Sequence, residues 1–407
     1  MKFQSIYASI LILAFNHFLI AFAAHPCIDY PDPLNPGRFE FTDCPNIVED
    51  DIEDLPNVKR EIQNFFHIDI NCYSDATLCK KIKKAFDDAG KEISKVLKLK
   101  KKIYVNATFE SFSLMERNVL GSTYPTRSIF LTSDDKITRL YPQALAKQFS
   151  LNVHPAYSKY DINSRFNADF GWWFKSDNKT IETDQYDFSI VVLHELIHGL
   201  GFISSWDNSL ETNVYQYVTG LTSIYYFYDN KYGGFVENIF DRYLKLIENK
   251  KKIPLSDYTA QLDKSVPPMT PFNTILQFTN RVKSSPKWKY AKLVLKAATT
   301  NNSIIFTPAK RTSWNQDIYL ETSLKPFNAG SSISHVSQLK YRKTSDFLMT
   351  YQQFPGQTLE YFIKRGGNYK SPIGPRIISI LESIGYATDT HPNPVKPTLP
   401  SKKYPTM

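Results

Sequence analysis

Ile190-Val191-Val192-Leu193-His194-Glu195-Leu196-Ile197-His198-Gly199-Leu200-Gly201-Phe202 is the stretch on which the reading of this chain turns. Two histidines four apart on a helix share one face, one turn from each other, so both imidazoles can reach a single metal ion. Glu195 follows the first histidine and falls beside such an ion, placed as a base for a metal-activated water rather than as a ligand. A chance match would usually lie on an exposed polar helix. Here Ile190, Val191, Val192, Leu193, Leu196 and Ile197 surround the motif, which predicts a buried helix whose only polar groups are the two histidines and the glutamate. Gly199 and Gly201 come directly after His198; each would cost about 1 kcal/mol inside a helix and little in a turn, so the helix is expected to end there.

Working outward, hydrophobic periodicity predicts an α+β chain. Ser74 to about Leu99 reads as a helix, with Leu78, Ile82, Ala85, Phe86, Ala89, Ile93, Val96 and Leu97 at helical spacing and Ser74 or Asp75 as cap. Ile103 to Phe109 alternates as a half-buried strand, and Arg127–Thr132 and Asp161–Asn167 are further strands. Leu140–Phe149 looks helical with Pro142 in its first turn. The motif helix is expected from about Gln185 or Tyr186, packed against the sheet. Beyond residue 204 the periods weaken: Phe235–Ile247 and Trp288–Ala298 have helical spacing, and a helix should start near Pro375 within Pro372–Tyr386.

With 407 residues, 42% hydrophobic and 22% charged, the chain can build a large core and is not a disordered protein. Residues 1–23 read as a signal peptide: Lys2, a mostly apolar run from Ile10 to Phe22, and an Ala21-Phe22-Ala23 cleavage site. Asn16 and His17 interrupt the run, and no basic stop-transfer cluster follows, so export is favoured over a transmembrane anchor. Residues 24–70 are a disulfide-braced segment or a removable pro-segment; 71–387 form the main domain, with an insertion at about 204–334. The Pro/Lys-rich stretch 388–407 is expected to be a flexible tail, without the apolar end of a GPI signal. Cys27, Cys44, Cys72 and Cys79 suggest two disulfides in an oxidising compartment, with the local pairing Cys27–Cys44 and Cys72–Cys79 favoured. Asn106, Asn178 and Asn301 open N-glycosylation triplets. The formal charge is +9, and lysines concentrate at 80–84 and 95–102. They are read as a solvated helix face, with weak attraction to anionic surfaces as the alternative; no aromatic-interleaved basic motif argues for nucleic acid.

A catalytic zinc takes three protein ligands and keeps one position open. One supply scheme uses a carboxylate from a later helix, with Glu237 and Asp241 as candidates. The other ends the motif helix at a glycine and turns towards a third histidine, and the two glycines favour it. His194, Glu195, His198 and Gly201 then resemble the metzincin zinc endopeptidases, whose motif is H-E-x-x-H-x-x-G-x-x-H. The last position here is Ser204, a departure from that pattern. The context Ser331-Ser-Ile-Ser-His335, followed by Met349 and Tyr351, is similar to leishmanolysin-type metzincins, in which an insertion precedes a late third histidine and a methionine turn. The resemblance implies His335 as third ligand and Met349 as turn methionine; Tyr351 is either an oxyanion donor or, the favoured reading, a buried structural tyrosine. It also implies a zincin-like fold: a twisted mixed sheet, a central zinc helix, and a less regular, mostly helical C-terminal subdomain. Asp187 is expected to be an N-terminal charge or a partner for a zinc histidine.

The expectation is a secreted zinc endopeptidase acting on protein or peptide substrates. His194, His198 and His335 would bind Zn2+, and Glu195 would take a proton from the attacking water and deliver it to the leaving amine. The alternative is a secreted binding or adhesion protein on the same scaffold with incomplete or no catalysis.

Overall fold

The computed structural model describes residues 25–48, 63–114, 116–211, 218–310 and 316–401. The expected signal peptide lies outside the described residues, as does 49–62 of the N-terminal segment. In chain order the first half carries β1 (His25–Asp29), β2 (Glu40–Cys44), β3 (Asn46–Val48), β4 (Phe66–Cys72) and α1 (Ala76–Val96). It continues with β5 (Ile103–Glu110), β6 (Gly121–Pro125), β7 (Arg127–Thr132), β8 (Thr138–Pro142), α2 (Gln143–Ala146), β9 (Val153–Pro155) and β10 (Ile162–Asn167).

These strands form two four-stranded sheets and a small pair, β3 with β9. One sheet, ordered β2-β1-β7-β8, is antiparallel throughout. The other, ordered β4-β5-β10-β6, is mixed: β4, β5 and β10 run parallel, and β6 lies antiparallel at its edge. A parallel pair needs a crossover, and α1 supplies it between β4 and β5. Asp75 caps α1 by accepting the amides of Thr77 and Leu78. The apolar stripe of α1 (Ile82, Ala85, Phe86, Ala89, Ile93) meets the inward row of β5, Ile103, Val105, Ala107 and Phe109, each nearly fully buried. Cys27 bonds Cys44 across β1 and β2, and Cys72 bonds Cys79 where β4 passes into α1.

Next come β11 (Trp172–Trp173), β12 (Tyr186–Asp187) and α3 (Phe188–Gly199), the motif helix. It packs beside α1 and over β6 and β10. Phe188 at its start is ringed by Phe86, Phe109, Phe166, Trp172 and Phe174 at centroid distances of 4.9–6.4 Å. One such ring buried is worth about 1.5–3 kcal/mol, which anchors that end of the helix.

The remainder holds β13 (Ile224–Tyr228), β14 (Lys231–Val236), β15 (Leu244–Glu248), β16 (Lys251–Pro254), α4 (Leu255–Asp263), α5 (Ile275–Ser284) and α6 (Trp288–Ala298). After them come β17 (Ile304–Phe306), β18 (Ile318–Tyr319), α7 (Gln338–Tyr341), α8 (Leu359–Arg365) and α9 (Pro375–Ile384). Beside its helices this part holds strands that were not expected: β13 and β14 make a hairpin, and β16-β15-β17-β18 make a further antiparallel sheet.

Other expectations need correction. Phe235–Ile247 is not a helix. It contains the end of β14, a 3-10 turn at Ile239–Tyr243 and the start of β15, because the Asn238/Asp241 capping box fixes the turn and β15 is claimed by strands on both sides. Leu140 to Pro142 belong to β8, and Pro142 caps α2 rather than entering its first turn. The motif helix begins at Phe188, since Tyr186 and Asp187 pair with β11. A division at residue 70 cuts through β4, and removing 24–70 would also take β1 from the middle of its sheet. Of the expected tail 388–407, residues 402–407 lie outside the described residues, and 388–401 are not detached from the body: Thr398 exchanges backbone hydrogen bonds with Thr132, and Leu399 packs on the core. Several of the clustered lysines are paired with carboxylates, Lys81 with Asp177, Lys84 with Asp88, Lys95 with Glu92 and Lys98 with Asp389. Among the described residues no helix is long and apolar enough to cross a membrane.

Candidate metal centre

His194 and His198 lie one turn apart on the buried α3, as their spacing requires, and the chain then turns sharply. Gly199 lets the helix approach β10: a Cβ there would stand 2.6 Å from Ile162 Cγ2. Gly201 has φ +105°, a conformation that costs an L side chain, and a Cβ would meet Pro142 Cγ at 2.8 Å. The turn it permits carries the Phe202 carbonyl back to the helix, where it accepts a hydrogen bond from His198 Nδ1 at 2.7 Å.

The other two histidines are held in the same manner. His194 Nδ1 donates to the Leu348 carbonyl at 2.6 Å, and His335 Nδ1 donates to the Ser331 carbonyl at 3.0 Å. A carbonyl can only accept, so each Nδ1 carries the proton and each Nε2 presents a lone pair. The three Nε2 atoms converge, with every pair 3.1 Å apart. Burial lowers the pKa of His194 to about 4 and of His198 to about 3, and holds His335 well below its usual value, so all three rings are neutral.

Three neutral nitrogens facing one another without a proton between them repel, and a cation among them removes the conflict. A tetrahedral ion with Zn–N distances of 2.0–2.1 Å separates its nitrogen ligands by about 3.3 Å, close to the observed spacing. Carbonyl acceptors on the far ring nitrogens are the usual means of fixing tautomer and ring direction in histidine metal sites. Among the described residues these three histidines are the one group of three or more His, Cys, Asp or Glu side chains able to share an ion. The donor set therefore fits zinc.

Glu195, 7% exposed, is adjacent on α3. Burial pushes its carboxyl up to about 8, opposed by hydrogen bonds from the Thr123 side chain and backbone on the edge strand β6. Thr123 was not foreseen from the sequence: β6 is a five-residue strand bounded by Gly121 and Pro125, with no alternation to mark it.

The remaining candidates fall at varied distances from this chemistry. Met349 is buried in the 3-10 turn Phe347–Met349, whose Leu348 carbonyl holds His194, and its own carbonyl accepts from Val336 N–H at 2.9 Å. Tyr351 is partly exposed, burial raises its hydroxyl pKa, and it makes no hydrogen bond to the histidines or Glu195. Glu237 is not part of the group. Fully buried, it accepts the hydroxyls of Ser256 at 2.7 Å and Thr259 at 2.6 Å and faces Arg139, so its oxygens are already satisfied elsewhere. Asp187 is an N-cap rather than a partner for a histidine: it accepts from Ser189 N–H and Leu359 N–H at 2.9 and 2.8 Å. Ser204, where the motif departs, donates to Asp241 at 2.7 Å. Asn178 and Asn301 are exposed, whereas Asn106 is half-buried on β5 and bonded to Asn163.

Comparison with known proteins gives a family without a described activity. The SPBPB7E8-like family profile matches residues 52–407, and the chain belongs to that family. An uncharacterized protein of Schizosaccharomyces pombe, PB7E8.01, is 28% identical over 380 residues, which cover 81% of this chain and 64% of the relative. The chain thus spans less than two thirds of the length of that relative. No solved structure matches.

Proposed function

We propose that this member of the SPBPB7E8-like family is a secreted zinc-dependent endopeptidase, related in its site to the metzincins and nearest to the leishmanolysin-like group. The carrying observation is the convergence of three Nε2 lone pairs at 3.1 Å, each with its Nδ1 proton committed to a backbone carbonyl, beside a buried carboxyl. His194, His198 and His335 would hold the ion. Zinc in such a site polarises a carbonyl oxygen and lowers the pKa of water from 15.7 to about 7.

The chain's own part is proton handling and orientation. A Glu195 carboxyl oxygen accepts a proton as water adds to the peptide carbonyl, then returns it to the departing amine nitrogen. Thr123 fixes the carboxyl from the strand side. No serine or cysteine nucleophile is needed: all four cysteines are in disulfides. Those disulfides and the apolar start of the chain support export.

The proposal is tested by metal analysis and a chelator-sensitive peptidase assay on protein purified from the medium, with N-terminal sequencing. The histidines are each only about 6% exposed, which favours as a second reading a binding protein whose metal site has no turnover. Stoichiometric zinc without chelator-sensitive proteolysis on any peptide library would select that reading.

A further inference from the structure

The turn that presents His335 is held from outside as well as by its own hydrogen bonds. Ile333, two residues before the histidine, has φ +66°, which is sterically unfavourable for a β-branched residue, yet it is completely buried. Ser334 N–H reaches only as far as the Ser332 carbonyl. On one side, backbone hydrogen bonds hold the turn to Glu321: Ile333 N–H donates to the Glu321 carbonyl and Glu321 N–H to the His335 carbonyl, at 2.9 and 2.8 Å. On the other side, Ser204 N–H donates to Ser334 Oγ at 3.1 Å.

Ser204 is itself fixed by a buried carboxylate. Asp241 accepts the Ser204 hydroxyl at 2.7 Å on Oδ1, and the backbone N–H groups of Ser205 and Asn238 at 2.9 and 3.0 Å on Oδ2. Trp206 N–H donates to Ser204 Oγ at 3.1 Å, so the hydroxyl is occupied on both counts. All members are at most 8% exposed, and in such surroundings each hydrogen bond counts for more than at a surface.

We infer that Asp241, Ser204 and Ser334 form a positioning relay that seats His335 against His194 and His198. It joins the chain leaving the motif helix to the turn that arrives 130 residues later. Ser204 thereby has a task in metal binding without being a ligand: it orients the residue before the third histidine. The inference rests on the zinc reading given above.

The experiment compares wild type, Ser334→Ala, Ser334→Thr and Asp241→Asn in the full secreted chain. Zinc affinity is measured by competition with a chromophoric chelator, the visible spectrum is recorded after Co2+ substitution, and the metal-free proteins are melted. Ser334→Ala is expected to weaken zinc binding about tenfold to a hundredfold and to alter the Co2+ spectrum. Its metal-free form should lose clearly less stability than its zinc-loaded form, and Ser334→Thr, which keeps the acceptor oxygen, should recover most of the affinity. If Asp241→Asn fails to fold, Ser334→Ala carries the test alone. Wild-type affinity and spectrum in Ser334→Ala overturn the relay, as does an equal loss of stability with and without metal. A wild-type protein that takes up no stoichiometric zinc overturns the proposed function, and the relay with it; unchanged variants of a zinc-binding wild type overturn the relay only.

Discussion

The zinc site proposed above predicts that stripping the metal destabilises this protein by an amount that follows from the histidine geometry. Without an ion, three buried Nε2 acceptors face one another at 3.1 Å and none has a donor. A buried acceptor left unsatisfied costs about 1–3 kcal/mol, so the metal-free site carries a penalty on the order of 3–9 kcal/mol, less whatever water entry relieves. By linkage, free zinc at a thousand times its dissociation constant stabilises the native state by about 4 kcal/mol. A chain of this length moves its melting point by about 2 °C or less per kcal/mol, so chelation should lower it by roughly 5–8 °C. The assay is scanning calorimetry of the purified protein before and after chelator dialysis, and again after one equivalent of zinc, with metal counted by mass spectrometry. Fewer than about half an equivalent of zinc, or a melting point indifferent to chelator, would refute the reasoning. So would full zinc uptake by a variant with His194, His198 and His335 all replaced by alanine.

Further expectations concern single residues. Glu195→Gln should keep stoichiometric zinc and lose about 10²–10⁴-fold in peptide hydrolysis, checked by metal analysis beside the peptidase assay. Asp187→Ala removes the acceptor of two backbone amides and should cost about 1–2 kcal/mol in urea unfolding without altering zinc content. Gly201→Ala must adopt φ +105° against Pro142, and a loss of about 1–3 kcal/mol with weaker zinc binding is expected from the same two measurements. Burial raises Asp207 to about 6 from an ordinary value near 3.8, against a hydrogen bond from the Asn208 backbone. An acid so raised favours the native state below pH 4 and loses that contribution as pH rises through 6. Asp207→Asn should therefore match wild type near pH 3.5 and exceed it by up to about 3 kcal/mol at pH 7.5, read from urea midpoints at the two pH values.

Where one strong period governs a segment, the sequence was a good guide to its form. α1 announces itself through Ile82, Ala85, Phe86, Ala89 and Ile93 on one face, and β5 through strict alternation. The bounds of β7 and α6 are those that their patterns predict. The segment 235–247 misleads because Val236, Ile239, Phe240 and Tyr243 lie at helical intervals while serving a strand end and a 3-10 turn. What fixes them is Asp241 reaching back to Ser204 and Ser205, a contact no local pattern contains. At the candidate site the histidine pair, the adjacent acid and the turn glycines are legible because their chemistry dictates residue type and spacing. The carbonyls of Phe202, Ser331 and Leu348 are not, since every residue carries one and only the fold selects which. Glu237 was a fair candidate by type, and its exclusion depends on Ser256 and Thr259 of α4 and Arg139 of β8 arriving from two other elements.

The separation of 137 residues between His198 and His335 also sets a clock. A ribosome adding about 5–20 residues per second delivers His335 roughly 7–27 s after His198, and the Leu348 carbonyl slightly later. Throughout that interval the nascent chain carries only two of the three histidines proposed to hold zinc, so the proposed site cannot close. On the proposed zinc reading, loading waits until His335 and the Leu348 carbonyl have been made, after the hairpin and sheet encoded between the two halves.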